Sequence, residues 1–207
     1  MVTTRDRIIV ATNELFRRQG YNGTSLSQIS TAAGATIGSI YHFFPGGKEE
    51  LAAAVIDTTA AVYRELFVSI ASEAADPVQA FVDFFVGAAA VLEESDYIDP
   101  CPIGGIAREV ANTSEVLRGA AARSFESWIG AAREHLINAG APPAVADELA
   151  TVFVATVEGT FVLSRTQRST RACMAAGKHI ADLTRQAIVS QPAAASSRRP
   201  SGRSKRR

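Results

Sequence analysis

The chain has 207 residues, and 47% of them are hydrophobic, which excludes an intrinsically disordered polymer and leaves ample surface to bury in one or two domains. Formal charge balances overall but not locally: net +2 over residues 1–47, −8 over 48–190 and +6 over 191–207. A polyanion should therefore meet the two ends of the chain and be repelled by its middle.

The two cysteines, Cys101 and Cys173, lie far apart and read as free thiols of a reducing compartment. Arg5, Asp6, Arg7 and Glu14 interrupt the N-terminal apolar residues, which is unlike a signal peptide. No apolar run reaches the ~18–20 residues that a membrane span needs. These features predict a soluble, cytoplasmic protein with no membrane partner.

In chain order, the spacing of Ile8, Ala11, Leu15 and Phe16 predicts a helix over Thr3–Gln19, ended by Gly20 and a turn at Tyr21-Asn22-Gly23. Ser25 can cap a second helix that carries Leu26, Ile29 and Ala33 on one face. Gly34 offers the backbone freedom of a tight turn, and Thr36 can cap a third helix that buries Ile37 and Ile40 and turns Ser39 and His42 outward. Two short helices about a glycine turn are the layout of a DNA-binding helix-turn-helix.

Beyond Pro45-Gly46-Gly47, a long helix is expected from Lys48 to about Ala74. Asp76 before Pro77 starts another, with Phe81, Phe84, Phe85, Ala88 and Leu92 on one face. Residues 95–102, with two prolines and two aspartates, read as a loop. A short helix near 104–111 follows, then longer ones over 114–139 and 142–167 and a last one from Thr170 to about Val189. Period-two alternation is absent, so the fold class expected is all-α. Residues 191–207 have a disordered composition and read either as a solvated extension or as a weak partner of DNA phosphates.

The stretch Thr24-Ser25, Ile29, Ala33-Gly34, Gly38, Ile40-Tyr41-His42-Phe43-Phe44 and Lys48-Glu49-Glu50-Leu51 resembles the TetR family of bacterial transcriptional regulators. Many family members have one residue fewer before the lysine. The Tyr41–Leu51 version, and more softly Cys101-Pro102-Ile103-Gly104-Gly105-Ile106-Ala107-Arg108-Glu109, is similar to the LmrA/YxaF-like branch. The resemblance implies a three-helix DNA-binding domain over 1–47, a helical effector-binding and dimerisation domain over 48–190, and a tail over 191–207. It implies that Thr36, Tyr41, His42 and Lys48 hold phosphates while Ser39 and Gln28 meet base edges. Gly38 keeps the helix surface low, and Thr24 and Ser25 offer donors at a helix N-terminus. Tyr41 can equally pack in the small core, to which Ile40, Phe43 and Phe44 are assigned.

An apolar cavity for a small apolar or aromatic effector can be built from Phe67, Phe81, Phe84, Phe85, Ile103, Ile106, Trp128, Phe153, Val157 and Phe161. Each of them alone reads as core, and only the set together with the family resemblance supports a cavity. Asp83 and Glu158, set within apolar runs, can meet a cationic or hydroxylated ligand or simply lie on helix surfaces. The last two helices carry Val152, Val154, Val157, Val162, Leu163, Ile180, Leu183 and Ile188, more apolar surface than an isolated pair needs. The resemblance implies that they pair with their copies in a homodimer, which would read a palindromic operator in double-stranded DNA.

An enzyme is the competing class. His42, His135 and His179 are scattered, Cys101 has no neighbouring histidine, and no phosphate-binding glycine loop is present, so neither catalysis nor a metal or other cofactor is expected. The expected function is that of a ligand-responsive repressor released by its effector. A DNA-binding activator or architectural protein without a ligand, and a helical enzyme or carrier, are the alternatives.

Overall fold

Nine α-helices and no strand form the regular structure among the residues that a computed structural model describes, 2–98 and 101–189. They are α1 (Thr4–Gln19), α2 (Leu26–Ala33), α3 (Ile37–Phe43), α4 (Gly47–Glu73), α5 (Gln79–Glu94), α6 (Pro102–Val110), α7 (Glu115–Asn138), α8 (Pro143–Gln167) and α9 (Arg171–Val189). The all-α expectation holds, with helix ends close to those read from caps and breakers. The expectation for residues 191–207 lies outside the described residues.

Caps explain most of the boundaries. Thr3 and Asp6 form a reciprocal capping box at the start of α1. The Asp76 carboxylate accepts from the amides of Val78 and Gln79 at 2.8 and 3.0 Å, which sets the first turn of α5. Ser114 caps α7 by accepting from Leu117 N–H at 3.1 Å. Gly34 ends α2 in the left-handed conformation, φ 58°, where a side chain would be strained.

Two apolar clusters hold the helices together. One joins Ile8 and Phe16 of α1, Ile29 of α2 and Ile40 of α3 to Leu51, Val55 and Ile56 of α4, Ile103 and Ile106 of α6 and Leu117 of α7. Apolar packing therefore runs through position 47 without a break. The other lies among α4, α5, α7, α8 and α9, around Phe67, Phe81, Phe85, Leu136, Phe153 and Ile180. Phe153 is its hub, with ring centroids 4.9–5.8 Å from those of Phe67, Phe81, Phe84 and Phe85.

Candidate functional site

Helix α2 opens on a second capping box. Ser25 Oγ accepts from Gln28 N–H at 3.2 Å, and Gln28 Oε1 accepts from Ser25 N–H at 2.8 Å. The Gln28 carbonyl is thus engaged within its own helix. Thr36 Oγ1 accepts from Ser39 N–H at 3.0 Å and lies 2.9 Å from Ser39 Oγ, fixing both hydroxyls at the start of α3. Ser39 is half-buried, whereas Ser25, Gln28, Thr36, Gly38, Tyr41 and His42 are exposed.

Ile37, expected to be buried, is instead 45% exposed, and Tyr41 is 49% exposed. The reason is helix phase. Ile40 and Phe44, four residues apart, take the inward line, and Ile37 falls with Tyr41 on the outward one. Ile37, Gly38, Tyr41 and His42 therefore form one exposed face. A Cβ built on Gly38 would meet only Thr36 Oγ1, at 3.7 Å, so nothing in the folded chain demands glycine there.

Thr24 stands apart from this face. It is 1% exposed, donates from its hydroxyl to Gly20 C=O at 2.7 Å and accepts from Gln19 Nε2 at 3.2 Å, so it closes the turn after α1. Lys48 is half-buried with its ammonium 4.2 Å from the Tyr21 ring centre, a cation–π contact. Partial burial lowers its pKa from the ordinary lysine value, and the Glu109 charge opposes that shift.

Glu109, read in the sequence only as the end of the Cys101–Glu109 segment, makes a contact that no local pattern indicates. Its carboxylate accepts from the amides of Tyr21 and Asn22 at 3.2 and 2.8 Å, and a side chain on Gly20 would collide with it. The end of α6 is thereby fastened to the turn between α1 and α2. A separation of 87 and 88 residues hides such a contact from any local pattern.

A small, partly open cavity of about 50 Å³ lies among α4, α5, α7 and α8. Of the residues expected to line a pocket, Phe67, Phe84, Trp128, Phe153, Val157 and Phe161 do so, joined by Tyr63, Arg64, Cys101, Ala131, Val154 and Glu158. Phe81 and Phe85 sit outside the lining, fully buried in the Phe153 cluster. Ile103 and Ile106 belong to the other cluster, toward α1. An open groove of about 550 Å³ adjoins the cavity and shares Cys101, Glu158 and Phe161 with it.

Asp83 accepts from Gln79 Nε2 at 2.8 Å and remains a helix residue of α5. Glu158 is different: it is half-buried in the wall of the cavity, and its Oε1 is buried with no hydrogen-bond partner among the described residues. Burial raises its carboxyl above the usual glutamate range, against the lowering effects of the Cys101 thiol and of Arg108. Burial and the Glu158 charge both push the Cys101 thiol well up, the opposite of what a nucleophile needs. Among the described residues no group of three or more His, Cys, Asp or Glu side chains is placed to hold a metal, and no helix is long and apolar enough to cross a membrane.

On α8 and α9 the apolar residues divide between two faces. Val154, Val157 and Ile180 turn inward, and Ile188 is half-buried. Val152, Val162, Leu163 and Leu183 are 40–51% exposed, together with Val145 and Met174.

Residues 8–55 match the bacterial regulatory proteins of the tetR family, and residues 77–179 match the C-terminal domain of the LmrA/YxaF-like transcriptional regulators. The chain is 33% identical over 183 residues to the uncharacterized HTH-type transcriptional regulator YxaF of Bacillus subtilis, covering 88% of this chain and 96% of that one. It is 31% identical, also over 183 residues, to the HTH-type transcriptional regulator LmrA of the same organism, covering 88% and 97%. A TetR transcriptional regulator from Legionella pneumophila shares the fold with a TM-score of 0.78 at 23% identity, over 88% of this chain and 97% of that one. The helix-turn-helix, the helical body behind it and these matches agree: this chain is a transcriptional regulator, not an enzyme, and belongs to the TetR family with an LmrA/YxaF-like C-terminal domain.

Proposed function

We propose that the protein is a dimeric repressor that holds a palindromic operator through α3 and leaves it when a small apolar or aromatic effector enters the cavity. The observation that carries this reading is the outward face of α3, where Ile37, Gly38, Tyr41 and His42 lie exposed beside capped helix ends. Residues 1–47 would form the part that touches DNA and 48–190 the part that senses and dimerises. Thr36, Tyr41, His42 and Lys48 hold phosphates, with backbone donors at the Ser25 cap. Ser39 and the free amide of Gln28 meet base edges, and Ile37 suits a thymine methyl. The protein would act where the chromosome is, in the cytoplasm.

Full-length protein is expected to retard a DNA fragment from its own upstream region, with affinity falling steeply as salt rises. Tyr41→Ala should weaken binding to all sequences alike, whereas Ser39→Ala should alter sequence preference. Equal behaviour of the two variants in a competition assay would overturn the division between positioning and reading residues. An added effector must release the DNA by favouring the off-operator shape, since equal affinity for both shapes shifts nothing.

A second copy of the chain suits the exposed apolar stripe of α8 and α9, and two-fold pairing gives the two recognition helices that a palindrome requires. Leu163→Glu is expected to convert a dimer to a monomer in sedimentation velocity and to lose operator affinity with it. A parent protein that sediments as a monomer at micromolar concentration would contradict the symmetric mechanism.

A further inference from the structure

We infer that Glu158 is the polar anchor of the effector: the cavity takes an aromatic molecule that carries an N–H or O–H donor and presents it to Glu158 Oε1. This inference rests on the reading of the cavity as the effector site. Apart from the Tyr63 hydroxyl, the rest of the cavity wall is apolar or committed. Trp128 donates its indole N–H to Ala60 C=O at 2.9 Å, and Arg64 donates to Glu65 at 2.8 Å. Cys101 Sγ accepts from Gly104 N–H at 3.4 Å, and its thiol is a hydrogen-bonding neighbour of the Glu158 carboxyl. Among the described residues, the buried side-chain oxygen left without a donor is Glu158 Oε1.

A buried carboxylate oxygen without a partner is costly, and any donor brought to it recovers a charge-assisted hydrogen bond. Glu158 is also held in place. Its other oxygen, Oε2, lies so close to the backbone of α6 that a Cβ on Gly104 would collide with it. The position suits a gatekeeper, because Cys101, Glu158 and Phe161 form the wall common to the cavity and the open groove. An incoming ring meets Phe67, Phe84, Trp128, Phe153 and Phe161, and its donor meets the carboxylate. A cationic amine and a neutral hydroxyl share this chemistry, while an anionic group at the same point is repelled.

The test uses the full-length protein and its single tryptophan, Trp128, as a fluorescent reporter within the cavity wall, with calorimetry in parallel. Three probes of one shape, each a single ring because the cavity is only about 50 Å³, are titrated: benzylamine, phenol and toluene. Glu158→Met is expected to weaken the amine or the phenol about 10- to 100-fold while leaving the toluene unchanged or tighter. Glu158→Gln, nearly isosteric and still an acceptor, should retain the phenol and lose the amine, which names the donor. Thermal unfolding checks that each variant is folded.

A fall in one or both of the donor probes with the toluene spared supports the inference. Equal effects on all three probes, or no effect on any, overturn the anchor while leaving the cavity as an effector site. Failure of all three to bind the parent protein overturns the aromatic cavity itself, and the anchor with it.

Discussion

Gly38→Leu is expected to abolish operator binding while leaving the fold intact. The folded chain offers room at this position, since a Cβ there would touch only Thr36 Oγ1 at ordinary contact distance. Removing a glycine from a helix stabilises it by about 0.5–1 kcal/mol, so the unfolding midpoint should hold or rise. The constraint comes from outside the chain. A leucine between Ile37 and Tyr41 on the exposed face would keep the backbone of α3 away from the groove floor, and contacts to base edges are lost first. Affinity should drop to the level of unrelated DNA, a fall of roughly a thousandfold or more. Melting curves beside gel retardation separate the two effects, and a variant that binds its operator like the parent would remove α3 from the groove.

The second large effect is on stability. Phe153 touches four other phenylalanine rings at the hub of the inner cluster and lines the cavity as well. Phe153→Ala is expected to cost about 3–5 kcal/mol, from lost transfer free energy plus the void that the packed neighbours cannot close. The void adds to a cavity of about 50 Å³, small beside the several hundred that a bound drug-sized molecule occupies. Denaturant unfolding should therefore show a lower midpoint, and added biphenyl should restore part of the loss by binding the folded state alone. A change under 1 kcal/mol would mean that the cluster repacks freely.

Much of this was legible in the sequence because it is local. Thr3, Ser25, Thr36, Asp76 and Ser114 are helix-start residues whose action depends on neighbours two or three positions away, and they mark the helix ends well. The exposed face of α3 was only partly readable, because seven residues give two turns, too few to fix the phase of Ile37. Helix α8 is apolar on two sides, so the pattern alone could not tell Val154 and Val157, which face their own chain, from Val152 and Val162, which do not. Glu109 over the α1–α2 turn and Glu158 beside Gly104 join distant parts of the chain. Periodicity carries no information about such pairs.

Helix α6 has only nine residues, roughly 13 Å of rigid rod at 1.5 Å per residue. Its first turn lies against Glu158, and its last carries Glu109 into the turn that supports the helix-turn-helix. Two such ends cannot be altered independently. A lineage that enlarges residue 104, beside the groove that adjoins the cavity, pushes on Glu158 and is expected to shift Glu109 at the other end of α6. The grip on DNA must then be retuned at α1 and α2 in the same evolutionary step. Changes at 104 and in the turn at 20–22 should accordingly travel together.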